Sequence, residues 1–174
     1  KYGMEYRRAY WNEVPDDGFV WRHEREIFPL LRRRHVFSGV ENFAFYDFVT
    51  AEGHVNNNVF AYSNRAGDER AVVVYNNAYG NTRGRIQYAA AINRGAADAP
   101  RVEHPSLMQA LDIDAGDNVY YIFRDQRQNV EYVRSARHIA HEGLYVELQG
   151  YQCHVFLDFR RVVDADGSWG ALCP

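Results

Sequence analysis

At 174 residues the chain is long enough to bury one sizeable core and too short for two full enzyme domains. A net charge of -3, with both signs interspersed, gives no footprint for a polyanion and argues against nucleic acid or an anionic membrane as a partner. No window approaches the roughly 18 uninterrupted apolar residues of a membrane span, and KYGMEYRRAYW at the N-terminus lacks the apolar centre of a secretory signal. The two cysteines, Cys153 and Cys173, fit neither a disulfide framework nor a zinc pattern, so they are expected as free thiols in a reducing cytoplasm.

The chain opens at Lys1 directly on aromatic residues, without an initiator Met, and is expected to be a piece of something longer. A short helix is expected around Met4 to Trp11. From Asp17 to about His35, Val20, Ile27, Phe28 and Leu31 recur at helical spacing, with Arg22, Glu24, Arg25 and Glu26 elsewhere. Asp16 or Asp17 caps the start. Pro29 sits inside the pattern and removes the donor to the Arg25 carbonyl, at about 3 kcal/mol in an unbroken helix, so a kink or restart is expected there. The run Arg32-Arg33-Arg34 reads as a solvated helix end.

After Gly39 the period changes from helical to two. FAFYDFVT, from Phe43, is apolar on both faces and is expected as a central strand. Val59-Phe60-Ala61-Tyr62 and Val72-Val73-Val74-Tyr75 form a hairpin, with Ser63 to Arg70 as its solvated tip. A loop rich in Ala, Gly, Asp and Pro follows from about Asn93 to Asp117, broken by one or two helical turns in PSLMQALDI. VYYIFR from Val119 and NVEYVR from Asn129 repeat the alternation, and SARHIAHEG, residues 135–143, is a short helix. Last, Leu144, Val146 and Leu148 point one way and Tyr151, Cys153, Val155, Leu157 and Phe159 continue the set, a second hairpin turning at Gln149-Gly150. Six to eight antiparallel strands preceded by helices predict a mainly β fold, a β-sandwich with an N-terminal helical segment, divided as residues 1–38 and 39–174.

Chemistry-bearing groups are sparse. His138 and His141 stand at i and i+3 with Glu142 beside them, whereas the zinc-protease arrangement needs i and i+4 with the glutamate between, so no metal is expected. A small metal-dependent hydrolase built on the two histidines is the weakest reading. Glu131, Glu147 and Asp158 lie on separate strands; glycosidic cleavage uses two carboxyls about 5 to 9.5 Å apart, and solvent-facing strand carboxylates are the ordinary alternative. No G-x-S-x-G elbow, phosphate-binding glycine loop or Cys/His pair is present, so neither a catalytic residue nor a cofactor is expected. Aromatic residues make up 15% of the chain, and their flat faces suit pyranose C–H groups; Tyr75, Tyr79 and Trp169 are the candidate sugar contacts, against simple burial.

EREIFPLLRRRHVFSGVENFAFYDF, then NVFAYSNRAGDERAVVVYNN, then GLYVELQGYQCHVFLDF, in that order, resemble the C-terminal part of α-amylase-family enzymes, glycoside hydrolase family 13. The resemblance covers nearly the whole chain after about Asp17. It implies that the last helix of a (β/α)8 barrel leads into an accessory antiparallel sandwich, whose partners are that barrel and α-glucan. The family's catalytic strand motifs, G-x-R-x-D among them, are missing here, and a barrel of roughly 200 or more residues does not fit. The expectation is a noncatalytic accessory domain; the rival is an independent carbohydrate-binding module. A helix face carrying Val20, Ile27, Phe28 and Leu31 needs a cover, which the barrel, the sandwich or a second copy of the chain would supply.

Overall fold

Helical winding in the N-terminal segment changes where proline removes a donor. In the computed structural model, which describes residues 14–173, α1 (Asp17–Arg22) begins where Asp16 Oδ1 accepts from the Phe19 N–H at 3.1 Å. It passes into a π-helical turn, His23–Ile27, and then α2 (Phe28–Arg32). Pro29 has no N–H for the Arg25 carbonyl, and the Phe28 N–H bonds five residues back to the His23 carbonyl. The expected kink is therefore a π turn. The helix expected around Met4 to Trp11 lies outside the described residues.

The chain divides into two compact units, residues 1–34 and 35–174. Almost all of α3 (Arg34–Ser38) thus goes with the second unit, where Val36 is buried and His35 Nε2 meets Glu69 Oε1 at 2.6 Å.

The second unit is mainly β and antiparallel. Its strands are β1 (Ala44–Tyr46), β2 (Val49–Thr50), β3 (Val59–Ala66), β4 (Glu69–Asn76), β5 (Thr82–Ile86), β6 (Ile92–Asn93), β7 (Val102–Glu103), β8 (Val119–Asp125), β9 (Val130–Ser135), β10 (Leu144–Leu148) and β11 (Cys153–Val163). Three short helices intervene or follow: α4 (Leu107–Leu111), α5 (Ala136–Glu142) and α6 (Ser168–Leu172). A six-stranded sheet runs β1-β3-β4-β11-β8-β9, a three-stranded sheet runs β10-β5-β2, and β6 and β7 make a separate ribbon. The count of eleven strands exceeds the expected six to eight because several span only two or three residues.

Three sequence readings need correction. FAFYDFVT is not a central strand: β1 is an edge of the six-stranded sheet, and the chain then crosses so that β2 pairs with β5 in the other. Its two faces are not alike: Ala44, Tyr46 and Phe48 enter the core, while Phe43 and Phe45 are exposed. Secondly, Ser63 to Arg70 is not a solvated tip. Strands β3 and β4 pair through it to Ala66↔Glu69, leaving a two-residue loop in which Gly67 takes φ 59°, as the first position of a type II′ turn requires. The polar side chains have remote partners: Ser63 Oγ lies 2.7 Å from the Tyr46 hydroxyl, Arg65 donates to Asn42 Oδ1, and Arg70 donates to the Leu111 and Asp112 carbonyls at the end of α4.

Thirdly, Gly143 to Phe159 is not a hairpin, because β10 pairs with β5 and β11 pairs with β4 and β8. The Gln149-Gly150 turn carries the chain from one sheet to the other. Of the set read as one face, Val155 and Leu157 are buried, but His154 and Phe156 are the residues turned toward the three-stranded sheet, so β11 is covered on both sides. A bulge at Leu157/Arg160, with Asp158 at φ 57°, shifts its register on β8.

The core lies between the two sheets. Tyr46, Val59, Ala61, Val72, Val74, Tyr121, Phe123 and Phe156 of the larger sheet pack with Ile86, Leu144, Val146 and Leu148 of the smaller. Leu107, Met108 and Leu111 of α4 and Ile139 of α5 join the same core. Both helices are legible from their caps: Ser106 and Gln109 form a reciprocal capping box, and Ser135 accepts from the His138 N–H.

Burial pushes the Tyr46 phenol up from 10.0 to about 12, against the opposing effect of its Ser63 hydrogen bond. The folded protein therefore favours the neutral phenol, a contribution fully present below pH 10 and lost as pH rises from 10 toward 12. Tyr46→Phe is expected to cost about 1 kcal/mol at neutral pH, from the lost hydrogen bond, and to blunt the alkaline fall. Urea unfolding at neutral and alkaline pH measures both.

Candidate functional site

Three strands drawn from both sheets meet at a buried ion pair. His154 on β11 places Nδ1 2.6 Å from Asp125 Oδ2 on β8 and Nε2 3.1 Å from the Glu147 carbonyl on β10. Asp125 is fully buried and His154 nearly so. Each ring nitrogen thus faces an oxygen, one from a carboxylate and one from a backbone carbonyl. Asp125 Oδ1 also accepts from the Arg127 N–H at 3.0 Å. With both ring nitrogens occupied, this pair ties the sheets together and is not a free acid or base.

Beside it, a cleft of about 800 Å³ opens between β9 and β10, the edge strands at one end of their sheets. Its floor is aromatic: Phe123 stacks on Tyr132 at 5.8 Å and meets Phe156 edge-on at 5.2 Å, and His154 lies parallel to Phe156 at 5.5 Å. The Arg134 guanidinium lies 5.5 Å from the Tyr132 ring centroid. Tyr145 donates to Glu147 Oε1 at 3.0 Å, and Glu52, Asn81, Arg83, Gln128, Gln149 and Gln152 complete the polar lining.

Two loops form one rim of this cleft, and a single buried asparagine joins them. Asn76 Nδ2 donates to the Gly80 carbonyl at 2.7 Å and to the Gln149 carbonyl at 2.9 Å. The Tyr151 N–H bonds the Ala78 carbonyl at 3.0 Å. Gly150 is required by proximity, for a Cβ there would stand 2.2 Å from the Tyr79 carbonyl oxygen. On this base Tyr79, 88% exposed, and Tyr151, 46% exposed, meet edge to face at 4.8 Å.

The three sugar-contact candidates are not brought together. Tyr79 belongs to the loop that supplies Asn81 but does not itself line the cleft. Tyr75 alternates with buried Val74 and Asn76, so it occupies the opposite face of the large sheet from His154 and Phe156, where its hydroxyl donates to Asn77 Oδ1 at 3.3 Å. Trp169 is on α6, next to β9, whose Val133 carbonyl accepts from the Cys173 thiol. Tyr151, Tyr145, Gln128, Gln149 and Gln152 escape sequence reasoning. One local signal existed: a histidine inside the apolar alternation of β11.

The carboxylate candidates are also apart in role. Glu131 accepts from Arg124 at 3.1 Å and Arg160 at 2.8 Å, Glu147 holds Tyr145, and Asp158 sits in the β11 bulge. His138 and His141 are exposed on α5, and among the described residues no group of three His, Cys, Asp or Glu is placed to hold a metal ion. The described thiols of Cys153 and Cys173 are free; burial pushes the Cys153 thiol up, which makes it less reactive. No described helix is long and apolar enough to cross a membrane.

His154→Phe leaves Asp125 charged, buried and without its partner, and is expected to destabilise the second unit by about 3 to 5 kcal/mol in denaturant unfolding. Adding Asp125→Leu is expected to return part of that loss, because the uncompensated charge goes with it. A double variant as unstable as the single would contradict the assignment. No family model matches this chain, and no curated protein matches it either.

Proposed function

We propose that this chain is a noncatalytic C-terminal accessory domain of an α-amylase-like glycoside hydrolase, which closes and stabilises a catalytic (β/α)8 barrel and extends its glucan-binding surface. The reading rests on the resemblance of three segments in order, and one structural observation carries it. Every described residue of α1, the π turn and α2 escapes full burial, and Phe19, Trp21 and Leu31 are 61%, 57% and 58% exposed. Val20, Ile27 and Phe28 are each more than 40% exposed. Leaving a large apolar side chain in water forgoes roughly 1.5 to 3 kcal/mol of burial, so a helical flank of this composition fits a surface that covers it. The barrel is that surface in the proposed parent, and a second copy of the chain is its substitute in isolation. A cytoplasmic setting fits the two free thiols.

The second reading, an independent carbohydrate-binding module, draws on the cleft between β9 and β10. It leaves the apolar flank without a purpose, and for that reason it ranks below the first.

The coding sequence immediately upstream of Lys1 is expected to encode a barrel carrying two catalytic carboxylates; an in-frame start codon directly before Lys1 would contradict the proposal. The purified chain is expected to release no reducing sugar from starch. In sedimentation, the chain is expected to self-associate as concentration rises. The triple change Phe19→Ser, Trp21→Ser, Leu31→Ser should give a monomer whose unfolding free energy is unchanged within about 0.5 kcal/mol, as for other exposed positions.

A further inference from the structure

We propose that the cleft between β9 and β10 binds a neutral oligosaccharide, with Tyr79 and Tyr151 flanking it on the loops that supply the lining residues Asn81, Gln149 and Gln152. The volume, about 800 Å³, is that of a small-molecule site. Charge selects the class of ligand. Glu52 and Glu147 balance Arg83 and Arg134 in the lining, and His154 is already engaged by Asp125. A phosphate or a polycarboxylate would find no excess of positive charge there.

Hydrogen-bonding capacity selects further. Gln152 Oε1 accepts from the Gln149 N–H at 2.7 Å, Asn81 Oδ1 from the Gly150 N–H at 3.3 Å, and Gln128 Oε1 from the Tyr132 hydroxyl at 3.4 Å. Each carboxamide thus spends its oxygen inside the fold and has an NH2 with two donors for a ligand. Glu147 gives one carboxylate oxygen to Tyr145 and keeps the other as an acceptor. The backbone adds to this supply: the Glu147 carbonyl turns from β5 toward His154, and Tyr145, two residues earlier, presents its own N–H and carbonyl along the same open edge of β10. Donors and acceptors interleaved at short range match hydroxyl groups, which need both.

The rim supplies what a sugar ring adds to its hydroxyls, an apolar face. Tyr79 touches Tyr151 edge-on, at 81° between planes, and is otherwise in water. Its ring is held on a backbone fixed by Asn76 and by the contact of Gly150 with the Tyr79 carbonyl. Ordering costs on binding are correspondingly small. An exposed tyrosine on a clamped loop, next to a charge-balanced cleft of amides, is suited to stacking on a pyranose whose hydroxyls reach Asn81, Gln149 and Gln152.

That the sugar is an α-linked glucose oligomer rests on the accessory-domain reading; that it is a neutral oligosaccharide rests on the cleft. The test is titration of the 174-residue chain with maltoheptaose, cellohexaose and glucose 6-phosphate, followed by amide NMR shifts. Maltoheptaose is expected to perturb residues 79–83, 128–134 and 145–152, and Tyr79→Ala and Gln128→Ala are each expected to weaken binding about tenfold. Tyr75→Ala and Trp169→Ala should leave it unchanged, and equal unfolding midpoints across the variants exclude misfolding as the cause. Binding of cellohexaose alone would keep the site and count against the amylase-like parent. Silence toward both neutral oligomers at millimolar concentration would overturn the site, as would tighter binding of glucose 6-phosphate than of either, while the upstream coding sequence would still decide the parent separately.

Discussion

The hydrogen-bonded chain from Asp125 through His154 to the Glu147 carbonyl fixes how two unequal sheets meet. Apolar burial alone would hold β10 against the larger sheet, but it is indifferent to sliding by a residue or to small rotations. A buried, hydrogen-bonded pair with both ring nitrogens engaged tolerates little displacement, since any shift leaves a polar group dry and unmatched. The same three strands contribute to the cleft wall, so its shape follows from this pair. Asn76 does for the rim what His154 does for the wall: one buried side chain binds two loops remote in sequence.

The two compact units contrast in how they treat apolar surface. In residues 35–174 the inner sheet faces, α4 and α5 close a continuous core, and Ser63, Asp125 and His154 are buried with specific partners. In the described part of residues 1–34, aromatic and aliphatic side chains remain in solvent. A self-sufficient β unit joined to an insufficient helical one is what a scaffold shaped to complete a larger body would look like, and this contrast is the physical basis of the proposed role. The sugar site proposed for the charge-balanced cleft between β9 and β10 would extend that proposed role from support to contact with substrate.

Much of the fold was legible because its signals are local. The β3–β4 hairpin and the strands β8 and β9 follow from alternation, and α4 and α5 follow from short helical stretches whose serine caps the structure shows. Pro29 announced a break in winding, although not that a π turn would absorb it. What failed depends on distant partners. Gln149-Gly150 has the composition of a hairpin turn, and nothing nearby says that β10 would find β5 rather than β11. The polar run from Ser63 looked like a solvated tip because Tyr46, Asn42 and the end of α4, which take up its side chains, lie many residues away. The cleft was illegible for the same reason: its lining comes from residues 52 to 156 and includes none of Tyr75, Tyr79 and Trp169, Tyr79 coming only as near as the loop that supplies Asn81.

Amide hydrogen exchange along residues 17–32, in the chain alone at low concentration and again in the parent-length protein, tests the proposed role most directly. The expected result is rapid exchange across α1 to α2 in isolation, slow exchange in the core strands β4, β8 and β11, and strong protection of the helices once the parent surface is present. Helices as protected as those strands in a dilute monomer would show that the apolar flank needs no other body, and would contradict the proposed role.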